Sequence, residues 1–213
     1  MSKILCIYPK DQTTEFLQPI YDILVEKFHA VGLMGDPTDD DEYLEKLENR
    51  VKESDLIVFL GHGTSRQLYG FNFNPIVCEE NANINWFKDK DLLLFSCYSA
   101  DFLKRYNLTP SIGFDVIPTS LIDVENRKFH NCDLSFLKEA DLFKIRDKIV
   151  NIWERTLFDI IDFNLGTFQI NFNFNVNIEI VDVLLNKKED KNYATIADIL
   201  YYIKDDMMYL QDK

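Results

Sequence analysis

Two side chains stand where covalent chemistry is easiest to build. His62 follows the apolar run Leu56-Ile57-Val58-Phe59-Leu60 and sits between Gly61 and Gly63, and Cys97 follows Leu92-Leu93-Leu94-Phe95-Ser96. Short continuous apolar runs of this length read as buried parallel strands, and in parallel sheets the groups just beyond the carboxyl ends of neighbouring strands meet at one edge. A thiol with an ordinary pKa of about 8.5 is mostly protonated at neutral pH. An imidazole of pKa about 6.5 beside it can generate or hold the thiolate and later protonate a leaving amine. The oxyanion of acyl transfer would need fixed donors, for which the backbone N–H groups of Gly63 and of Cys97, where a helix is expected to begin, are the candidates.

Other reactive types carry less. Cys78 lies in an irregular stretch that can approach the same edge, but a metal site of His62, Cys97 and Cys78 has no ligand spacing to support it, and no metal or cofactor is expected. Cys6 falls in an apolar run and reads as core, His29 as structural, and His130 with Cys132 as a surface loop. The acidic runs Asp39-Asp40-Asp41-Glu42 and Asp205-Asp206 read as helix-terminal charge and solvated face.

The elements that must position the pair follow from periodicity. Residues 3–8 read as a first strand, followed by a helix through Phe16, Ile20, Leu24 and Phe28. Gly32 and Gly35-Asp36-Pro37 break the chain before a second helix carrying Leu44, Leu47 and Val51, with Asp39 to Asp41 in its first turn. Residues 64–90 read as a long aromatic- and Asn-containing loop, a short helix follows Cys97, and a strand lies near residues 111–116. Leu142, Ile145, Ile149, Ile152, Trp153, Leu157 and Ile160 mark one long amphipathic helix. From Phe168 to Ile180 every even position is apolar, the period of a strand. Asn is poor in strands and the flanks look helical, so a helix is preferred. Residues 195–210 close the chain as a helix. The whole predicts an α/β fold, a mostly parallel sheet with helices on both faces (residues 1–135), with a helical C-terminal extension (residues 136–213) packed on it.

Composition narrows the function. The 213 residues are 46% hydrophobic and 14% aromatic with only 7 Gly and 6 Pro, which argues for a packed core rather than a disordered chain. Acidic residues exceed basic ones, 36 against 23, for a net charge of −13. Nucleic acid and anionic membrane surfaces are therefore disfavoured as partners. The first residues lack a signal-peptide core and no apolar run is long enough to span a bilayer. Four scattered cysteines without a CxxC pair fit neither a disulfide framework nor a structural zinc site, so a reducing cytoplasm is the expected location.

The run ending in Gly61-His62-Gly63, the run ending in Ser96-Cys97-Tyr98-Ser99-Ala100, and the segment Ser111-Ile112-Gly113-Phe114 together resemble the landmarks of caspase-like cysteine peptidases, in particular the short CHAT-type members of bacteria. The likeness covers roughly residues 3–120. It departs from the family in having Ser96 before the cysteine, and no second domain is evident. The resemblance implies a caspase-like fold and a cysteine endopeptidase using a Cys97–His62 dyad on a peptide or protein substrate. It further implies a regulated effector of bacterial defence, switched by an activating partner or a nucleotide signal. In such enzymes a charged residue beside the cysteine selects the side chain before the scissile bond. Asp115 would favour Arg or Lys, Arg66 would favour Asp or Glu, and Ser65 is a further substrate contact. Two readings of other classes compete: a catalytically inactive caspase-like or TIR-like signalling module, and a small-molecule sensor using the same edge.

Overall fold

The computed structural model describes residues 2–35, 42–70, 74–80, 83–121, 123, 134, 136–186 and 191–211. In chain order the elements are β1 (Ile4–Tyr8), α1 (Gln18–Phe28), β2 (Val31–Met34), α2 (Tyr43–Glu53), β3 (Leu56–Leu60), β4 (His62–Gly63), β5 (Gln67–Tyr69), β6 (Pro75–Cys78), β7 (Asp91–Phe95), α3 (Ser99–Tyr106), β8 (Ser111–Gly113), α4 (Glu139–Asp159), α5 (Leu165–Leu185), α6 (Tyr193–Asp205) and β9 (Met208–Leu210). Two single-turn 3-10 segments, Glu15–Leu17 and Asn83–Phe87, complete the path.

The main sheet has the order β2-β1-β3-β7-β8-β9, with every pairing parallel except the last. All residues of β1 and β3 are buried, as expected of strands covered on both faces. One hydrophobic cluster lies on the face covered by α1, α4, α5 and α6. The other lies on the face covered by α2, α3 and the Asn83–Phe87 turn. The fold is therefore α/β with helices on both faces of a mostly parallel sheet. The first cluster runs from Ile4 of β1 to Met207 without a break at residue 135, because α4, α5 and α6 form one whole layer of the core.

Four expectations are corrected. Val31–Met34 is an edge strand rather than part of a chain break. At Gly32 a Cβ would meet the Tyr21 hydroxyl, so a larger residue there would displace that ring. The stretch read as a long loop contains a three-stranded antiparallel sheet, β4-β5-β6. The helix after the cysteine begins at Ser99, not at Cys97. The closing helix ends at Asp205, and Met208–Leu210 returns to the main sheet as β9, antiparallel to β8.

The alternating segment is a helix, as preferred. Asn164 caps α5 by accepting from the Thr167 N–H at 2.9 Å. Leu165, Phe168, Phe172, Val176 and Val183 point inward. Ile170, Phe174 and Ile178, which lie between them and help produce the two-residue period, are exposed. Asp39, Asp40, Asp41, His130 and Cys132 lie outside the described residues.

Candidate active site

β3 and β7 run side by side in register, Leu60 against Phe95, and the Gly61 N–H donates to the Phe95 carbonyl at 3.3 Å. Parallel neighbours are about 4.8 Å apart, so His62 and Cys97, each two residues beyond its strand, emerge at the same level of the carboxyl edge. Gly63 tightens the approach. A Cβ there would come within 2.6 Å of Ser96 Oγ and 2.8 Å of the Cys97 carbonyl, so only glycine lets the two strand ends touch.

Both bonds of His62 are made at Nε2: to Asp11 Oδ2 at 2.9 Å and to Thr13 Oγ1 at 2.9 Å. Asp11 stands in the turn after β1, the strand next to β3. Its other oxygen, Oδ1, accepts from the Thr13 N–H (2.7 Å), the Thr13 hydroxyl (2.7 Å) and the Thr14 N–H (3.0 Å). Its side chain is only 4% exposed. Burial opposes its ionisation, but the bonds from His62 and Thr13 outweigh burial and hold the carboxyl well below the usual carboxylate range. An ionised carboxylate can only accept, so Nε2 carries the hydrogen and Nδ1 is the basic nitrogen of neutral His62. Tyr69 of β5 stacks on the ring at 5.5 Å between centroids and 18° between planes, fixing its plane.

Cys97 is held from the other side. The buried Ser99 hydroxyl lies 2.7 Å from the Leu94 carbonyl and 2.8 Å from that of Ser96, and accepts from the Phe114 N–H at 2.9 Å. The Tyr98 N–H donates to the Asp115 carbonyl (2.9 Å) and the Ala100 N–H to that of Phe114 (3.0 Å). Gly113 permits this, since its Cβ would meet the Ala100 nitrogen at 2.7 Å. The Cys97 Sγ lies 3.6 Å from the Ile117 carbonyl and accepts from the Ile117 N–H at 3.4 Å.

His62 and Cys97 line one cavity of about 350 Å³, together with Asp11, Ser96, Ile117 and Asp123. Compared with known protein families, curated proteins and solved structures, the chain matches none. The cavity's chemistry must therefore be read from its own residues. Thr64 donates to the Gln67 carbonyl across the β4–β5 hairpin (2.9 Å). By the alternation of an antiparallel ladder, the N–H of Gly63 points away from β5. The Ser96 hydroxyl is buried in the lining without a hydrogen-bond partner among the described residues.

The residues singled out in the sequence divide cleanly. His62, Gly63 and Cys97 come together. Asp115, Arg66 and Ser65 do not line the cavity: Asp115 offers its carbonyl to Tyr98, and Arg66 is exposed, its carbonyl accepting from the Tyr106 hydroxyl at 3.0 Å. Cys78 is buried at the end of β6 and Cys6 within β1, both away from the cavity. Among the described residues no His, Cys, Asp and Glu side chains converge as metal ligands. Asp11 and Asp123 were missed. The signal for Asp11 was present in Asp11-Gln12-Thr13-Thr14, an Asx-turn sequence immediately after an apolar strand and hence at the same sheet edge.

Proposed function

We propose that the protein is a cysteine endopeptidase in which Cys97 is the nucleophile, His62 the general base and acid, and Asp11 the residue that orients His62. The observation that carries this is the bond from His62 Nε2 to a buried, ionised Asp11. It leaves Nδ1 as the proton acceptor in a cavity that also contains the thiol. The arrangement supports the caspase-like resemblance, which places an imidazole and a thiol at this edge.

His62 takes the thiol proton, and the sulfur attacks the scissile carbonyl carbon. The oxyanion so formed is bound by the N–H groups of Gly63 and Cys97. The C–N bond breaks as His62 returns the proton to the departing amine. Water, deprotonated by His62, then attacks the thioester and releases the carboxylic acid and the free thiol. Of the two carboxylates in the lining, Asp11 is committed to His62. Asp123 accepts at Oδ2 from the Ser120 hydroxyl (2.7 Å), the Ser120 N–H (3.1 Å) and the Thr119 N–H (3.4 Å), while Oδ1 has no partner among the described residues and is offered to an Arg or Lys side chain before the scissile bond.

The test is labelling with an acyloxymethyl-ketone peptide ending in Arg, followed by mapping of the modified cysteine. Cys97 is expected to react selectively, with at least about tenfold loss in His62→Ala or Asp123→Asn. Labelling of Cys97 that is unchanged in His62→Ala, or cleavage at the wild-type rate in Cys97→Ala, would overturn the assignment. A signalling module without catalysis would give that unchanged labelling.

A further inference from the structure

We infer that α5 is the self-association surface of this protein, two copies meeting through antiparallel α5 helices about a two-fold axis near Ile178. Seven residues of α5 are exposed: Ile170, Phe174, Asn177, Ile178, Val181, Leu184 and Leu185. None is charged and six are apolar. Ile170 is 70% exposed, Phe174 60% and Leu185 77%. A helix apolar on all sides is ordinarily buried on all sides. In a single chain the inner side of α5 is covered by the sheet and its flanks by α4 and α6.

The spacing of the stripe says what covers the fourth side. Taking Ile178 as origin, Ile170 and Phe174 lie eight and four residues before it, and Val181 and Leu185 three and seven after it. All five fall on one helical face. Turned end for end, the pattern nearly superposes on itself. An antiparallel copy therefore sets Ile178 against Ile178, the large Phe174 against the small Val181, and Ile170 against Leu185. Such self-complementarity is what an isologous two-fold interface requires.

Area and charge agree. The exposed parts of these five side chains and of Leu184 beside them come to roughly 600 Å² per copy, so a pair buries about 1,200 Å², the lower bound of a specific interface. The carboxylates nearest the stripe are already neutralised by α4. Glu179 meets Lys148 Nζ at 2.6 Å and Arg155 at 2.9 Å, and Asp182 meets Lys148 at 3.1 Å. The net charge of −13 thus does not fall on the contact line.

Light scattering of the full chain at about 50 μM measures the association directly. Wild type is expected at twice the 25.1 kDa chain mass. Phe174→Lys and Ile178→Lys should run as monomers with unchanged circular dichroism. Phe143→Lys, at an exposed apolar position on α4, should remain dimeric. Under mild oxidation Ile178→Cys should give a covalent dimer absent from wild type, whereas Leu185→Cys alone should not, its two copies lying about 20 Å apart across the axis. A monomeric wild type, equal cross-linking of both cysteine variants, or flotation on phosphatidylcholine vesicles in place of dimerisation would overturn the proposal.

Discussion

At the level of single side chains, the ionised Asp11 decides which nitrogen of His62 carries the hydrogen. Asn at this position presents an amide that can donate to Nε2, and the ring would then carry its hydrogen on Nδ1, the nitrogen the proposed mechanism needs free. Asp11→Asn is expected to lower kcat by about 10² to 10⁴ with little change in KM, measured on a fluorogenic peptide. An unchanged kcat would remove Asp11 from the site. The same carboxyl predicts an acid limit. Its folded pKa is depressed, so its stabilising contribution is complete above its ordinary value of about 3.9 and is lost as the pH falls below that value. The difference in melting temperature between wild type and Asp11→Asn should be present at about pH 5 and shrink below about pH 4. His62 and Cys97 were legible in the sequence because each follows an uninterrupted apolar strand and continuous runs announce where a sheet edge lies. Asp11 was not, because Pro9 and Lys10 separate it from β1 and its meaning depends on β1 neighbouring β3, which only topology reveals.

Among the elements, the long apolar stretches were legible and the short ones were not. β4, β5 and β9 are two or three residues long, too short to establish any period. β2 contains a glycine, which weakens a strand signal. The period-two pattern in α5 arises because it sums two helical faces, one inward and one outward, so the Asn content and the helical flanks were the better guide there. The α4–α5 contact carries an ion network around Glu179, which is 1% exposed. Lys148 and Arg155, its partners, are respectively 26% and 45% exposed at the side chain and can turn to solvent. The two ways of breaking the network therefore differ. Removing both cations strands a buried carboxylate, and Lys148→Ala with Arg155→Ala should cost about 3–5 kcal/mol in urea unfolding. Glu179→Gln leaves no buried charge and should cost less than about 2 kcal/mol. Equal costs would mean that Glu179 is hydrated in solution.

Across the whole molecule, the sheet is closed by residues that come last in the chain. β9 covers the β8 edge, and β8 leads directly into the Phe114 to Ile117 segment that grips the cysteine turn. Ending the chain after Met207 removes Met208, Tyr209 and Leu210, all partly buried, and should cost about 2–3 kcal/mol, or roughly 5–10 °C in Tm. The Cys97 labelling rate should fall at temperatures where the shortened chain is still folded. A shortened chain that labels at the wild-type rate would separate β9 from the site.

That late strand also sets a clock. During synthesis the ribosome releases the β3 and β7 ends long before residue 210 emerges, and at about 5–20 residues per second the interval lasts several seconds. Throughout that interval β8 has no partner on its outer edge, and the segment bearing on the Cys97 sulfur lacks its outer support. A nascent chain thus carries Cys97 and His62 before the outer support of that sheet edge is in place, and the candidate site is completed last.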